Sequence, residues 1–409
     1  MCGKVEDGMK IRIKKTEIPK GRRILVTSDI HGHKTLLQRL LGKVGFCGED
    51  MLFIIGDLIE KGPESLETLR YVMGLAEMDN VVVLLGNVDL WRVQMLEELS
   101  EENSEDFYSY LLKMRQWCGA SIFDQMGAEL GISLDSPQKA LACKNVFLEC
   151  FRGELDFIRA LPAIVETRDY IFVHAGLPCT ELEEVKDRNI YEVLKLDNFM
   201  ASGLSFEKYV IVGHWPVSIY NNRIMQTNPI IDQGHHIISI DGGCGLHMEG
   251  QLNMLMLPWA GCSTREITYT FCDDFERFEA LSFQEGSKDS VNISYTDRKV
   301  RILEEGEEFS CVEHLSSGRR IRIVNERLYN RNGEWADVNY SDYLLPVKEG
   351  DVLAMVMKTS EGCFMKKDGV CGWYRGELGS PFRLCQKRGR KNFPYLLTGN
   401  AFFGKVVIS

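Results

Sequence analysis

No stretch of this chain approaches the roughly 18 apolar residues of a membrane-spanning helix, so a helical membrane protein is not expected. Residues 1–20 are charged and lack an apolar centre, which argues against a secretory signal peptide there. The 13 cysteines are odd in number, contain no CxxC pair and follow no regular spacing. That is not the pattern of a disulfide framework, and the thiols are expected as small buried side chains in a reducing cytoplasm. Cys363 and Cys371 are close enough in sequence to invite a bridge, which a cytosolic setting disfavours. Basic residues are in deficit. From Arg265 onward 22 basic residues balance 22 acidic ones, so the first 264 residues hold 26 against 37 and carry the whole net charge of −11. Long nucleic acid calls for a basic face and is not the expected substrate; nucleotides are not excluded.

What is present is ordinary for a globular protein: 409 residues, 44% of them hydrophobic, enough for two or more domains. The informative feature is a repeated local pattern. Five hydrophobic runs each end in metal-ligand side chains: Ile24 to Thr27 before SDIHGH, Met51 to Ile55 before GDLIEKGP, Val81 to Leu85 before GNVD, Tyr170 to Val173 before HAGL, and Tyr209 to Val212 before GHWP. The runs read as buried strands. Asp29, His31, Asp57, Asn87, His174 and His214 therefore leave strand ends together, where α/β sheets bind ligands. Gly32, Gly56 and Gly86 let the backbone turn beside them. Mixed carboxylate, amide and imidazole ligands suit divalent first-row metals such as Mn, Fe or Zn better than Ca or a structural zinc. Taken singly, each of these residues has a structural explanation in turn chemistry; five in succession point to a site.

In this order the segments resemble the phosphoprotein phosphatase (PPP) branch of the calcineurin-like metallophosphoesterases, and the bacterial diadenosine tetraphosphatases of that branch. The resemblance covers about residues 21 to 260, including ALPAIVETRDYIFVHAGL and IDGGCGLHMEGQLNML. It implies a central β-sandwich flanked by helices, a mixed α/β (α+β) fold, and two divalent ions on one edge, with Mn the expected activator in vitro. Asp29, His31 and a bridging Asp57 would hold one ion; Asp57, Asn87, His174 and His214 would hold the other. It also implies attack on phosphorus by a water that the metal pair activates.

Two departures stand out. The family's GNHE or GNHD is Gly86-Asn87-Val88-Asp89, so an aliphatic side chain stands where an imidazole would serve as general acid. The family's Asp-Arg-Gly is Glu60-Lys61-Gly62, leaving Lys61, with Asn87, to grip phosphate as a point charge rather than a bidentate fork. Loss of proton transfer costs about 10²- to 10⁴-fold for a leaving group that needs it. Phenolate and phosphate leaving groups need it least. Glu60, deprived of the partner that keeps its counterpart ionised and near apolar Val88, and His33, one step past the first ligand pair, are the candidate replacement acids.

The expected organisation is an N-terminal extension (1–20), a catalytic domain (21–262) with a helical insertion or cap (90–169), and a β-rich accessory domain (263–409). Within the insertion, Leu90 to Leu99, Phe107 to Trp117 and Phe147 to Leu161 carry helical spacing, and Trp91, Tyr108, Tyr110 and Trp117 are read as helix packing before pocket lining. Strands are expected at Glu266 to Phe271, Val300 to Leu303, Arg320 to Val324, Val352 to Val356 and Lys405 to Ile408. The Arg319, Arg320 and Arg322 cluster and the Lys387 to Lys391 run read as solvated faces, with partner recruitment by the C-terminal domain as the alternative. The sequence supports a cytoplasmic metal-dependent phosphatase acting on a phosphorylated protein, in the manner of serine/threonine phosphatases, or on a small phosphorylated metabolite. Nucleotide polyphosphate hydrolysis and a metal-binding pseudophosphatase stay open.

Overall fold

Buried strands line up first, because ILVT, MLFII and VVVL offer no polar side chain that demands water beyond Thr27. The computed structural model describes residues 10–331, 333–336 and 339–382. Numbered along the chain, its first twelve strands are β1 (Ile13–Lys15), β2 (Ile24–Thr27), β3 (Met51–Ile55), β4 (Val81–Leu84), β5 (Ile164–Glu166), β6 (Tyr170–Val173), β7 (Tyr209–Val212), β8 (Met225–Gln226), β9 (Ile230–Asp232), β10 (Ile237–Ser239), β11 (Leu252–Leu257) and β12 (Thr268–Cys272). One sheet runs β12-β11-β2-β3-β4 and the other β1-β5-β6-β7-β10-β9. In the first, β2, β3 and β4 are parallel; in the second, β6, β7 and β10 are parallel.

Alternate residues of each strand face opposite ways, and here both ways are covered. Ile24, Val26, Phe53 and Ile55 meet Phe172 and Ile211 between the sheets, and the Phe53 and Phe172 rings stack at 4.0 Å. Leu25, Leu52, Ile54 and Val83 turn outward into the helical layer. Each such side chain contributes about 1.5–3 kcal/mol by leaving water. This is the β-sandwich flanked by helices that the resemblance implies.

The helices are α1 (Lys34–Val44), α2 (Ser65–Ala76), α3 (Asn87–Glu97), α4 (Ser104–Cys118), α5 (Ile122–Glu129), α6 (Pro137–Cys150) and α7 (Arg152–Ala160). The insertion is helical, as its spacing indicates, but two details differ. The Phe147 to Leu161 run breaks at Phe151, whose φ of −108° serves as the end of α6 and the start of α7. Helix α5 lies outside every periodic run. It is started by a capping box in which Ser121 Oγ accepts from Asp124 N while Asp124 Oδ2 accepts from Ser121 N. Phe147, Phe151, Leu155 and Ile158 all face the core. Trp91 and Trp117 are exposed instead.

Beyond β12 the described chain is β-rich. One sheet orders Arg277–Glu279, Val352–Thr359, Gly362–Lys367, Val370–Tyr374 and β8; another orders Arg320–Val324, Phe309–His314, Lys299–Glu304, Glu334–Ala336 and Tyr329–Arg331. The strand expected at Glu266 to Phe271 is β12, and it pairs with β11 on the edge of the sandwich, whereas β8 pairs with Val370 and Cys371 in the C-terminal sheet. The two regions thus exchange edge strands. A buried cation adds to the junction: Lys366 Nζ donates to Glu249 O at 2.8 Å, lies 3.3 Å from Asp273 Oδ2 and sits 4.9 Å from the Phe275 ring centre. Cys363 and Cys371 are both free and lie opposite Tyr374 and Lys366 in the hairpin. Arg319 pairs with Asp289 and Asp342, and Arg322 with Glu361, so neither offers a free charge. The expected strand at Lys405 to Ile408 and the Lys387 to Lys391 run lie outside the described residues. No helix among the described residues is long and apolar enough to cross a membrane.

Candidate metal centre

The carboxyl ends of β2, β3, β6 and β7 and the start of α3 meet at one edge of the sandwich. Loop stacking there is too close for side chains at several glycines. A Cβ on Gly86 would lie 2.0 Å from Asp57 N, and one on Gly213 would lie 2.2 Å from Asp29 Oδ2. Asp29, His31, Asp57, Lys61 and His214 have positive φ between 47° and 64°, a left-handed conformation that non-glycine residues adopt at a cost. The surrounding bonds hold them there: Asp29 N donates to Gly56 O, His31 N to Asp57 O and His214 N to Asp29 Oδ2.

Asp29, His31 and Asp57 form one buried cluster whose ligand atoms all lie within 4.8 Å of one another. His31 Nε2 is 3.8 Å from Asp29 Oδ1 and 3.6 Å from Asp57 Oδ2. The other oxygen of Asp57 turns the opposite way, 3.4 Å from His174 Nε2. The Asn87 side-chain amide in turn reaches His174 Nε2 at 2.9 Å and, in its alternative orientation, His214 Nδ1 at 3.0 Å and Leu194 O at 3.2 Å. All six sequence-predicted ligand residues therefore come together, with Asp57 touching both halves.

The donor chemistry fits divalent cations. Each imidazole has its far nitrogen engaged by an oxygen: His31 Nδ1 with Ile59 O at 3.2 Å, His174 Nδ1 with Ile55 O at 2.9 Å and His214 Nε2 with Asp197 Oδ1 at 2.9 Å. That turns the Nε2 atoms of His31 and His174 toward the cluster and sets the His214 ring, the arrangement that orients metal-ligating histidines. Turning over the Asn87 amide exchanges its nitrogen for its oxygen toward the same point. Burial, and next the repulsion by Lys61, holds the His31 imidazole well below its usual range. Burial likewise lowers His214, against the pull of Asp197. Asp29 is pushed up, mostly by burial and in part by the charge of Asp57. Burial is also the largest single influence on Asp57, but His174, His31, Lys61 and His214 together outweigh it and hold the carboxyl far below the ordinary range. Two buried carboxylates that share a space without an arginine between them are suited to a cation.

Lys61 Nζ donates to His31 Nε2 at 2.9 Å, which places the one ammonium of the GDLIEKGP loop beside the cluster. His33 Nδ1 lies 3.1 Å from Ile30 O, with its ring packed against Gly62 and Gly245. Glu60 is not the partnerless carboxylate that the loss of an imidazole at position 88 leads one to expect. It is fully buried, accepts from Tyr110 Oη at 2.5 Å and Ile122 N at 3.1 Å, and stands 3.4 Å from Arg92 Nε. Its partners come from α3, α4 and α5 of the insertion, so its Oε1 is committed to the cap. Val88 is buried, and its backbone N–H donates to Asp57 Oδ1 at 2.9 Å.

Three acidic residues were not singled out from sequence. Asp89 accepts from Leu58 N, Ile59 N and Gly86 N, and burial followed by the charge of Asp57 pushes its carboxyl up to about 7. Asp241 accepts from Gly243 N at 2.7 Å, and burial and then Asp29 push it well above the carboxylate range. Asp197 holds His214. Asp89 and Asp241 carry a local signal, since each stands within a quoted motif after a hydrophobic run. Asp197 carries none.

A family model described as calcineurin-like phosphoesterase matches residues 22–243. Among curated relatives, the symmetrical bis(5'-nucleosyl)-tetraphosphatase of Chromobacterium violaceum is 29% identical over 187 residues, 46% of this chain and 52% of that protein. Its counterpart from Buchnera aphidicola is 41% identical over 86 residues, 21% of this chain and 30% of that protein. The chain thus spans about half or less of the length of these relatives. Among solved structures, a putative diadenosine tetraphosphatase gives a TM-score of 0.40 at 18% identity, covering 64% of this chain and 99% of that one. A Saccharomyces cerevisiae protein serine/threonine phosphatase gives 0.38 at 13% identity, covering 65% and 84%. With the family model spanning more than half of its residues, and the site residues it encloses gathered on one edge, this chain belongs to the calcineurin-like phosphoesterases.

Proposed function

We propose that the chain is a two-metal phosphatase of PPP type, hydrolysing phosphoesters or phosphoanhydrides in a cytoplasmic setting, where its free cysteines stay reduced. The observation that carries this reading is Asp57, which directs one carboxylate oxygen at His31 and the other at His174. Asp29, His31 and Asp57 would hold one ion and Asp57, Asn87, His174 and His214 the second, with Mn, Fe or Zn the metals that suit the donors. When bound, such ions supply an activated water and neutralise phosphoryl charge.

The chain's own residues do the rest. His31 would offer its Nε2 to an ion in place of Lys61, and the Lys61 ammonium, on a flexible four-carbon stem, would then neutralise a phosphate oxygen as a point charge. Val88 donates no side-chain proton, and the ties of Glu60 to Tyr110, Ile122 and Arg92 weigh against it as the acid. Leaving groups stable as anions are therefore favoured: phenolate, or phosphate from a polyphosphate. The names of the curated relatives support the second, nucleotide polyphosphate reading over a phosphoserine protein substrate. For the organisation of the chain, we place the catalytic unit at 21–262 extended by the edge strands β1 and β12, with the described residues 273–382 as an accessory region packed on it.

The test is hydrolysis of p-nitrophenyl phosphate, a phosphoserine peptide and diadenosine tetraphosphate by metal-free protein titrated with Mn, alongside Asp57→Asn. Mn-dependent turnover that the variant loses, and that is fastest for the two good leaving groups, is the expected result. Equal rates on all three would remove the leaving-group argument. Metal binding without turnover of any of them would overturn the enzyme reading in favour of a pseudophosphatase.

A further inference from the structure

The segment after the GHWP motif is fastened to the accessory region at a buried point. Asn292, 2% exposed, donates from Nδ2 to Ser218 O at 2.9 Å and Asn221 O at 2.6 Å, and its backbone N–H donates to Asn222 O at 2.8 Å. Ser290 Oγ adds a bond to Arg223 O at 2.5 Å. Three residues beyond Asn292, the chain brings Tyr295 against Trp215, ring centres 6.2 Å apart and nearly perpendicular. The Trp215 ring in turn lies 6.5 Å from that of the candidate ligand His214. The Arg298 guanidinium covers the Tyr295 ring at 4.8 Å.

This series has properties that packing alone does not require. Tyr295 is 53% exposed although it is pinned beside a tryptophan. The indole N–H of Trp215 is shut off from solvent and finds no acceptor among the described residues. A buried donor left unmade costs free energy, so the Trp215 indole N–H has a contact still to make beside the site. Aromatic faces and an arginine next to a phosphate-handling centre are the chemistry that stacks a planar ring and holds its charge.

We infer that Trp215, Tyr295 and Arg298 form a specificity subsite, built jointly by the catalytic and accessory regions, for a planar aromatic group carried by the phosphorylated substrate. The inference rests on the phosphatase reading above. The ring has two possible sources, an aryl ester or a nucleobase, and both share the stacking chemistry. The accessory region then selects substrate at the site's rim as well as packing on the sandwich.

The experiment measures equilibrium binding of adenosine 5'-monophosphate, phenyl phosphate and inorganic phosphate to the Mn-loaded full chain by calorimetry, in wild type, Tyr295→Ala, Tyr295→Phe and Arg298→Ala. It is paired with turnover of p-nitrophenyl phosphate, adenosine 5'-diphosphate and the ring-free acetyl phosphate and triphosphate. Tyr295→Ala is expected to weaken ring-bearing ligands roughly tenfold, by binding and by KM, with inorganic phosphate and the ring-free substrates changed less than about twofold; Tyr295→Phe restores wild-type values. Whichever of the two ring-bearing phosphates loses more identifies the source. Binding of ring-bearing ligands no tighter than inorganic phosphate, or losses equal for ring-bearing and ring-free compounds, overturns the subsite. Ring-selective binding without turnover of any compound leaves the subsite standing and overturns the phosphatase reading alone.

Discussion

The Tyr110 hydroxyl donates to Glu60 Oε1 across 50 residues of sequence, tying the helical insertion to the loop that carries Lys61. Arg92 supplies the countercharge to the same oxygen, with its guanidinium 4.3 Å over the Tyr110 ring. Because Glu60 and Arg92 are both buried, removing one partner leaves the other charge stranded. Arg92→Leu is expected to destabilise the fold by about 3 kcal/mol in urea unfolding. Glu60→Gln keeps an acceptor for Tyr110 but strands the Arg92 guanidinium, so it should cost a similar amount, with turnover of p-nitrophenyl phosphate by the folded protein within about twofold of wild type. A loss near that expected for a missing acid, about 10²-fold, would instead return Glu60 to the catalytic step.

Asp57 gives a second prediction. An amide at this position keeps one oxygen and replaces the other by a donor, so it serves one half of the site and repels the other. Asp57→Asn should lower the number of tightly bound Mn ions from two to one or none, by metal analysis after gel filtration. Activity should fall by at least about 10²-fold. Two ions retained at wild-type affinity would show that Asp57 does not bridge.

Val88 bears on the leaving group. Val88→His is expected to raise turnover of an alkyl phosphate relative to p-nitrophenyl phosphate by about 10²-fold, because only the poor leaving group needs the proton. The measurement is the ratio of kcat/KM for the two esters. A ratio unchanged in a variant that still binds Mn would show that another group already protonates the leaving oxygen.

Lys366 is nearly fully buried and carries its charge among Glu249 O, Gly250 O and Asp273 Oδ2. Lys366→Met preserves most of the volume and removes the charge. Arg277 still pairs with Asp273, which limits the damage. The expected loss is about 2–3 kcal/mol in chemical denaturation. A neutral result would mean that Arg277 and water replace the ammonium fully.

Asp50 sets a pH dependence away from the candidate metal centre. Burial alone would raise its carboxyl, but Arg23 Nε and Nη2, each at 2.8 Å, and Cys47 N at 2.9 Å outweigh that and lower it. A carboxyl depressed by folding adds stability above its unfolded pKa, near about 3.9, and this is lost as pH falls through the lower folded value. The difference in melting free energy between wild type and Arg23→Met should be about 1 kcal/mol at pH 7, small because Arg23 is 35% exposed, and should shrink below about pH 4.

The six candidate ligand positions were legible because they follow directly on five hydrophobic runs, Asp29 and His31 sharing one, so a short-range rule of strand, tight turn and polar residue locates them without knowledge of the neighbouring strands. The sandwich core was legible for the same reason: runs such as MLFII demand burial on both faces. The insertion's α5 was missed because a two-residue capping box, not an apolar period, begins it. What the linear order left undetermined is every contact whose partner lies far along the chain. Glu60 with Tyr110 and Arg92, His214 with Asp197, Lys366 with Glu249, and Trp215 with Tyr295 are set by which surfaces meet once the core has closed. Backbone preference and hydrophobic period act within a few residues and write themselves into the sequence. Hydrogen bonds and ring contacts between distant segments depend on the packed geometry, and so the candidate ligand set belongs to the sequence while the surroundings of those residues, and with them the ties of Glu60 and of the C-terminal sheets, belong to the tertiary structure.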